Sequence, residues 1–193
     1  MSDLADLFAR QKYAVWRSCM KDPELSLLYR YARRRAESGT MGHDARSPGA
    51  HAAPGDFFTD SLLMDLLPCA EEVTKLKLFP TYSYFRVYRR GDILVKHTDR
   101  PSCEISVTLC LGYQAEQSWP ILLENPSGIS SIELFPGDGL FYRGIECCHW
   151  REPMDGEITA QAFLHYVDQN GPYAEWKYDK RPGIPFTRPR HSK

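Results

Sequence analysis

The spacing of hydrophobic positions changes near residue 76. Over residues 3–38 apolar side chains recur three or four positions apart, as in amphipathic helices, and residues 57–73 repeat that spacing. From residue 76 the segments are short, often alternating and rich in β-branched and aromatic residues, with Gly, Pro, Asn and Asp between them. The pattern predicts N-terminal helices followed by roughly eight strands.

Roughly eight short strands within roughly 90 residues are typical of an antiparallel sandwich or a double-sheet jelly roll. We therefore predict a mainly β chain of the α+β class, in which residues 1–75 form a helical segment and residues 76–179 form a jelly-roll core. Residues 39–56 are rich in Gly, Pro and Ala, which favours a flexible loop. Residues 180–193 form a basic, proline-rich tail.

Composition narrows the classes of function. The 193 residues carry 24 Lys and Arg against 25 Asp and Glu, so no strong positive field draws the chain to nucleic acid or to a membrane surface. The hydrophobic fraction of 42% suits a packed core, and no apolar run reaches the length of a membrane span. With no signal-peptide pattern, we expect a cytoplasmic protein whose six cysteines are reduced. The oligomeric state stays open.

A candidate metal site begins at His97-Thr98-Asp99. Residues two apart in a strand point to the same face, so this imidazole and this carboxylate can reach one ion. His149 follows a strand-like segment and is the best candidate for a third ligand. Two histidines and one carboxylate on one face of an octahedron suit non-haem Fe(II), because the opposite positions stay open. The alternative is a hydrogen-bonded His97–Asp99 pair in a turn. His165 is interpreted as a structural histidine.

The core segments resemble the Fe(II)/2-oxoglutarate-dependent dioxygenases, in particular the small prolyl-hydroxylase-like oxygenases of bacteria and phage. The resemblance covers residues 76–168 and rests on Tyr88 and Gly91 before the His-x-Asp motif, and on the Pro136-Gly137-Asp138 turn before the distal histidine. It implies a double-stranded β-helix and a metal triad of His97, Asp99 and His149.

The resemblance also implies the chemistry. Fe(II), O2 and the co-substrate 2-oxoglutarate would act together, with release of CO2 and succinate, to hydroxylate an unactivated C–H bond; ascorbate would support activity. The substrate would be an amino acid, a peptidyl residue or a small natural product. Related halogenases lack the metal-binding carboxylate, so the presence of Asp99 favours hydroxylation.

One departure from the family concerns the cation that usually anchors the far carboxylate of 2-oxoglutarate. It is expected roughly ten residues after the distal histidine, yet residues 156–161 contain no Lys or Arg. A buried carboxylate needs a partner, so we expect Arg86 to replace this cation, because it lies on the strand that pairs beside the expected position. Candidate hydrogen-bonding partners of the same carboxylate are Tyr88, Thr108, Tyr113 and Gln161.

Three residues near the distal histidine are candidates for substrate binding: Arg143, Trp150 and Arg151. An arginine can pair with a carboxylate, and Trp150 can stack on a substrate. Two other functions stay open because of the missing cation. One is a cupin-like metal-binding protein with different or no catalytic activity, and the other is a binding module that kept only the fold.

Overall fold

A computed structural model describes residues 2–184. Within this range the helices are Ser2–Gln11 (α1), Glu24–Glu37 (α2), Phe57–Asp65 (α3) and Leu67–Thr74 (α4). The strands are Tyr13–Trp16 (β1), Gly42–Asp44 (β2), Ser47–Pro54 (β3), Leu78–Arg89 (β4), Leu94–His97 (β5), Ile105–Gln114 (β6), Ile121–Asn125 (β7), Gly128–Ile132 (β8), Gly139–Arg143 (β9), His149–Arg151 (β10) and Ile158–Asp168 (β11). Short 3-10 segments cover Pro101–Cys103 and Ala174–Lys180.

The strands form two antiparallel sheets. The larger sheet has the order β1-β9-β6-β11-β4-β3-β2, and the smaller has the order β5-β10-β7-β8. The two sheets form the predicted jelly roll, with β4 to β11 as its core strands. Its long central strands β4, β11 and β6 alternate their side chains between the helix-covered face and the face turned toward the smaller sheet.

The helices cover the outer face of the larger sheet. Phe8 and Leu63 from the helices share one hydrophobic cluster with Phe85 and Leu109 from the sheet, and all four are at most 2% exposed. Each large side chain buried in this way contributes about 1.5–3 kcal/mol to folding. Since the helices bury one face of the sheet, the polar residues of β4 and β11 on the other face are left to line a site. The proposed boundary at residue 75 stays a prediction.

Residues 39–56 do not form the predicted flexible loop. Most of this segment forms the hairpin β2–β3, and β3 pairs with β4 through Ala52↔Arg86 and Ala53↔Phe85. Ala50, Ala52 and Ala53 are buried. Small residues give little sequence signal for a strand, but they let the hairpin lie close against β4. The hairpin therefore extends the larger sheet beside Arg86.

A second correction concerns Tyr13–Trp16, which lie in the region predicted as helical. α1 ends at Gln11, Lys12 adopts a left-handed φ of 66°, and the following four residues pair with β9. Within this short edge strand Ala14 is buried and the other three residues are partly buried. The helix predicted over residues 57–73 divides at Leu66, with Pro68 in the first turn of α4, where its missing N–H costs no hydrogen bond.

The last two expectations concern membrane-spanning helices and the basic tail. Among the described residues, every helix is too short or too polar to cross a lipid bilayer. Of the predicted basic tail, residues 185–193 lie outside the described residues.

Candidate metal centre and cavity

The side chains of His97, Asp99 and His149 converge, with one ligand atom from each within 4.8 Å of the others. The last residue of β5 pairs directly with the first residue of β10, since His97 lies opposite His149 in an antiparallel register. This pairing brings the two imidazole rings to a centroid separation of 4.4 Å. Asp99 follows β5, and its backbone N–H donates to the carbonyl of Gly144 at 2.9 Å.

Backbone carbonyls orient both imidazoles. Nδ1 of His97 lies 2.6 Å from the carbonyl oxygen of Val95, and Nδ1 of His149 lies 3.0 Å from that of Cys147. Each Nε2 therefore faces Oδ1 of Asp99, at 3.6 Å from His97 and 3.8 Å from His149. These separations are too long for hydrogen bonds, and a neutral imidazole whose Nδ1–H donates to a carbonyl keeps Nε2 free for a metal.

The charge state of Asp99 also suits a metal. Burial raises the pKa of this carboxyl, but His97, His149, His165 and the hydrogen bond from Ser106 outweigh burial and lower the pKa to about 2. The hydroxyl of Ser106 donates to Oδ2 at 2.8 Å, which leaves Oδ1 directed at the two histidines. Burial, with His97 and Arg86, lowers the pKa of His149 despite the nearby Asp99. A carboxylate beside a neutral imidazole is the donor set that a divalent first-row ion binds.

Two further groups lie directly behind the triad. His165 and Cys103 form a second convergent set with Asp99. Burial is the main cause that lowers the pKa of His165 to about 4 and raises the pKa of the Cys103 thiol to about 12. A protonated thiol is a poor metal ligand, and Nδ1 of His165 is 3.0 Å from the hydroxyl of Ser106. This placement agrees with a structural role for His165.

The triad opens into a cavity of about 550 Å³ between the two sheets. The walls combine aromatic, aliphatic and charged side chains, and four arginines line the cavity against two aspartates. Members from the larger sheet include Tyr82, Tyr84, Arg86, Thr108 and Phe163. A cavity of this volume holds a small co-substrate together with part of a second molecule.

Arg86 is the most deeply placed of the four cavity arginines, with 12% of its side chain exposed. Its Nε donates to Oδ2 of Asp44 at 2.7 Å, and one terminal nitrogen lies 3.4 Å from the hydroxyl of Tyr88. The guanidinium also lies over the rings of Tyr84 and Phe163, at 5.1 and 5.0 Å. Because Asp44 engages Nε, the terminal nitrogens keep N–H groups for another acceptor.

Of the four other residues predicted to bind the co-substrate, Thr108 lines the cavity, whereas Tyr88, Tyr113 and Gln161 do not. Thr108 lines the cavity, and its buried hydroxyl has no hydrogen-bond partner among the described residues. Gln161 lies opposite Arg86 in the register, and its buried Oε1 likewise has no partner within the described part of the chain. Tyr88 contacts Arg86 from behind. Tyr113 packs instead against a separate apolar cluster and does not line the cavity.

The three residues predicted to bind substrate do not line the cavity. Arg143 lies over the ring of Phe8, and the indole N–H of Trp150 donates to Glu152. Arg151 is 2% exposed and donates to the carbonyl of Trp119, so its side chain is enclosed in the protein. Arg143 and Trp150 thus have partners outside the cavity, whereas one terminal nitrogen of Arg151 is buried without a hydrogen-bond partner among the described residues. The geometry therefore does not support the prediction that they bind substrate.

The sequence interpretation missed Asp44, Ser106 and Tyr142. Asp44 lies in the hairpin that was predicted to be a loop, and no motif surrounds it. Ser106 and Tyr142 lie on core strands, and the Tyr142 hydroxyl is 3.4 Å from Nε2 of His149. Strand parity is the one sequence signal that could have identified Ser106. It is two residues from Thr108 on β6, so both side chains lie on the same face of the strand.

Comparisons with known proteins place this geometry in context. No protein-family model matches the sequence, and no curated protein matches it either. Solved structures do match. A Pseudomonas putida prolyl-4-hydroxylase has a TM-score of 0.72 at 17% identity, over 86% of this chain and 98% of that one. The epimerase SnoN, in complex with Fe³⁺, α-ketoglutarate and nogalamycin RO, has a TM-score of 0.75 at 12% identity, over 94% of this chain and 90% of that one.

A third similar structure is HygX from Streptomyces hygroscopicus with nickel, 2-oxoglutarate and hygromycin B bound. It has a TM-score of 0.70 at 13% identity, and the similarity covers 88% of each chain. At such identities the likeness concerns the fold, and site chemistry must be argued from the residues themselves. The chain therefore has the jelly-roll fold of these 2-oxoglutarate-dependent enzymes, as the resemblance in its sequence predicts.

Proposed function

We propose that this protein is an Fe(II)- and 2-oxoglutarate-dependent oxygenase that hydroxylates an unactivated C–H bond of an amino acid, a peptidyl residue or a small natural product. The observation that carries the proposal is the convergence of His97, Asp99 and His149 at the wall of a cavity that also contains Arg86. Metal ligands and a buried cation in one cavity are what a chelating keto acid with a distant second carboxylate requires.

The three ligands would hold Fe(II) through two Nε2 atoms and one carboxylate oxygen. The carbonyls of Val95 and Cys147 fix the orientation of the imidazoles, and Ser106 fixes the carboxylate. When bound, the iron and 2-oxoglutarate supply the oxidising chemistry, and the protein supplies placement and exclusion of competing reactions. Retention of Asp99 as a ligand supports hydroxylation, since no position on this face is left for a halide.

Arg86 would bind the far carboxylate of 2-oxoglutarate. A buried carboxylate is stable only when it is paired. Arg86 lines the cavity, and Asp44 engages its Nε, so its terminal nitrogens keep N–H groups for the carboxylate. The unpartnered hydroxyl of Thr108 would donate a further hydrogen bond to the co-substrate. Fe(II), 2-oxoglutarate and O2 are therefore the proposed cofactor and co-substrates, with ascorbate as a supporting reductant.

The decisive experiment measures succinate release from 2-oxoglutarate with added Fe(II) and ascorbate, in the absence of any further substrate. We expect slow turnover by the wild-type protein and none after Asp99→Ala. The same variant should bind Fe(II) at least about tenfold more weakly, because even residues that only support metal ligands contribute about that much. Asp155→Ala is the matched control, since Asp155 is fully exposed and pairs only with Arg90 at the surface.

Three outcomes separate the alternatives. Turnover that requires Fe(II) and Asp99 supports the oxygenase. Tight binding of Zn(II) or Mn(II) without succinate release would instead favour a cupin-like metal protein. A chain that binds neither metal nor 2-oxoglutarate would be a binding module that kept only the fold.

A further inference from the structure

The charges at the mouth of the cavity are unbalanced. Once Arg86 and Asp99 are assigned to the two ends of the co-substrate site, the remaining charged lining residues, apart from histidines, are Arg46, Arg100 and Arg181 against Asp179 alone. All three arginines are exposed, so each can contact a molecule that enters the cavity. The mouth therefore has a net positive charge, although the whole chain has a net charge of -1. Such local charge favours an anionic ligand.

Two of the three arginines have no acidic partner among the described residues. The guanidinium of Arg181 donates to backbone carbonyls of Tyr178 and Thr81, each at 2.9 Å. Arg46 has no ion pair within the described range, and only its backbone contacts Asp44 and Val95. These two side chains therefore supply positive charge to the mouth without neutralisation.

Arg100 is the exception, and its partner shows what group fits there. Its two terminal nitrogens donate to the two oxygens of Asp179, at 2.8 and 2.9 Å. This two-pronged contact is the geometry in which a guanidinium recognises a carboxylate. The guanidinium also lies 4.5 Å above the ring of Tyr82, which restricts its orientation. The guanidinium of Arg100 is thus already oriented to bind a carboxylate, and in this structure the carboxylate of Asp179 occupies that position.

The segment that supplies Asp179 is strained. Tyr178, Asp179 and Lys180 have φ values of 54°, 55° and 60°, and none of them is glycine. Left-handed conformations are unfavourable for such residues, and three in succession are rare. The contact between Arg100 and Asp179 is one of the interactions that hold this run across the mouth. A competing carboxylate that releases Asp179 would relieve strain as it binds.

The position of Arg100 links this contact to the metal. Arg100 follows Asp99 directly in the chain, and the ring below its guanidinium stacks on His165 at a centroid distance of 4.5 Å. His165 in turn belongs to the convergent set with Asp99. A group held at Arg100 therefore lies in the same cavity as the metal ligands, where it would place neighbouring C–H bonds inside the cavity.

We propose that the substrate carries a carboxylate that binds Arg100 in place of Asp179, with Arg46 and Arg181 adding attraction. The proposal rests on the proposed function and narrows its substrates to acids, such as free amino acids, peptides with an accessible carboxylate and acidic natural products. Asp179 acts as an internal competitor that leaves when the substrate enters. Arg100 is the residue that determines specificity.

The test compares N-acetyl-L-amino acids with their primary amides, which have the same shape but no charge. Binding to the full chain, with Zn(II) and 2-oxoglutarate added, is measured by saturation-transfer NMR. Tryptophan fluorescence is a second readout, because the guanidinium carbon of Arg100 lies 6.0 Å from the ring centroid of Trp176. We expect at least one acid to bind at least about tenfold more tightly than its amide, the gain of a charge-assisted hydrogen bond. Arg100→Gln should abolish that preference, and Asp179→Asn should increase the affinity for the acid several-fold.

The opposite effects of these two variants distinguish recognition from a structural ion pair. If the pair only holds the segment in place, Asp179→Asn leaves acid binding unchanged or weakens it, and the proposal fails. It also fails if no acid exceeds its amide, or if Arg100→Gln keeps the preference. Arg100→Lys keeps the positive charge but loses the planar guanidinium that contacts both carboxylate oxygens, so its affinity for the acid should be intermediate. Arg90→Gln should have no effect.

Failure of the proposed function would look different, because the binding assay needs no turnover. An acid preference that depends on Arg100, in a protein that never releases succinate, would keep the carboxylate site and remove the oxygenase. Succinate release without any acid preference would keep the oxygenase and remove the carboxylate site.

Discussion

The two ends of the cavity are built in different ways. At the metal end, Oδ1 of Asp99 lies 3.6 and 3.8 Å from the two histidines, and within the described part of the chain these side chains form ion pairs only with one another. The opposite end consists of Arg86, which the protein has already paired with Asp44 at 2.7 Å. The ligand atoms at the metal end lie too far apart to hydrogen-bond to one another, whereas the charge of Arg86 is already balanced by Asp44. Changes at the metal end should therefore alter binding most strongly.

The largest effect is expected from Gly144→Ala. A Cβ at this position would lie 2.4 Å from Oδ2 of Asp99 and 2.4 Å from the carbonyl oxygen of Cys103, so the carboxylate or the backbone must move. We expect Fe(II) affinity to fall by at least about tenfold and stability to fall by about 1–3 kcal/mol. Isothermal titration under anaerobic conditions and urea unfolding measure the two changes.

Gly42→Ala is the control for this substitution. A Cβ there would have no heavy atom within 4 Å, so both measurements should match the wild type. If Gly144→Ala left Fe(II) affinity unchanged, Asp99 would not be the carboxylate ligand that its position indicates.

The next effect is expected from Arg86→Gln. Loss of a charge-assisted pair costs about 1.5–3 kcal/mol, so the KM for 2-oxoglutarate should rise about tenfold to 100-fold. Metal affinity should change little, because Arg86 does not contact the triad. Arg90→Gln, at an exposed position two-thirds open to solvent, should leave KM unchanged. An unchanged KM after Arg86→Gln would move the anchor to another cation.

The contrast between the two ends also explains what the sequence could predict. Spacing identifies His97 and Asp99, since two residues on one strand face must lie together. Strand parity places Arg86 with Tyr82 and Tyr84, and all three line the cavity. These placements follow from local geometry, which a strand imposes on its own residues.

Asp44 could not be predicted in this way. It lies in β2, which pairs with β3, and β3 in turn pairs with β4. Sequence composition does not encode these pairings. The substrate candidates Arg143, Trp150 and Arg151 lie outside the cavity lining for a related reason. Proximity to His149 in sequence says nothing about the partners, such as Phe8 and Trp119, that other elements bring to them.

A smaller effect is expected from Asp44→Asn. Asn keeps an oxygen for Nε of Arg86 but loses the charge that fixes the guanidinium, so the KM for 2-oxoglutarate should rise about two- to tenfold. The maximal rate should stay unchanged, because Asp44 does not line the cavity and acts through its hydrogen bonds from Arg86 and Tyr84. Asp155→Asn is the matched control. A fall in KM would show instead that Asp44 competes with the co-substrate, as we propose for Asp179 at Arg100.

The last effect is on stability instead of binding, and it concerns the metal-free protein in acid. Asp99 has a pKa of about 2 in the fold, against about 3.9 when unfolded. The ionised form therefore stabilises the fold by about 2–3 kcal/mol above pH 4, and this contribution is lost as the pH falls from about 4 toward 2. Urea unfolding of wild type and Asp99→Asn should give free energies that differ at pH 5 and converge near pH 2. Parallel curves would mean that the folded surroundings of Asp99, including the hydrogen bond from Ser106, do not lower the pKa of its carboxyl.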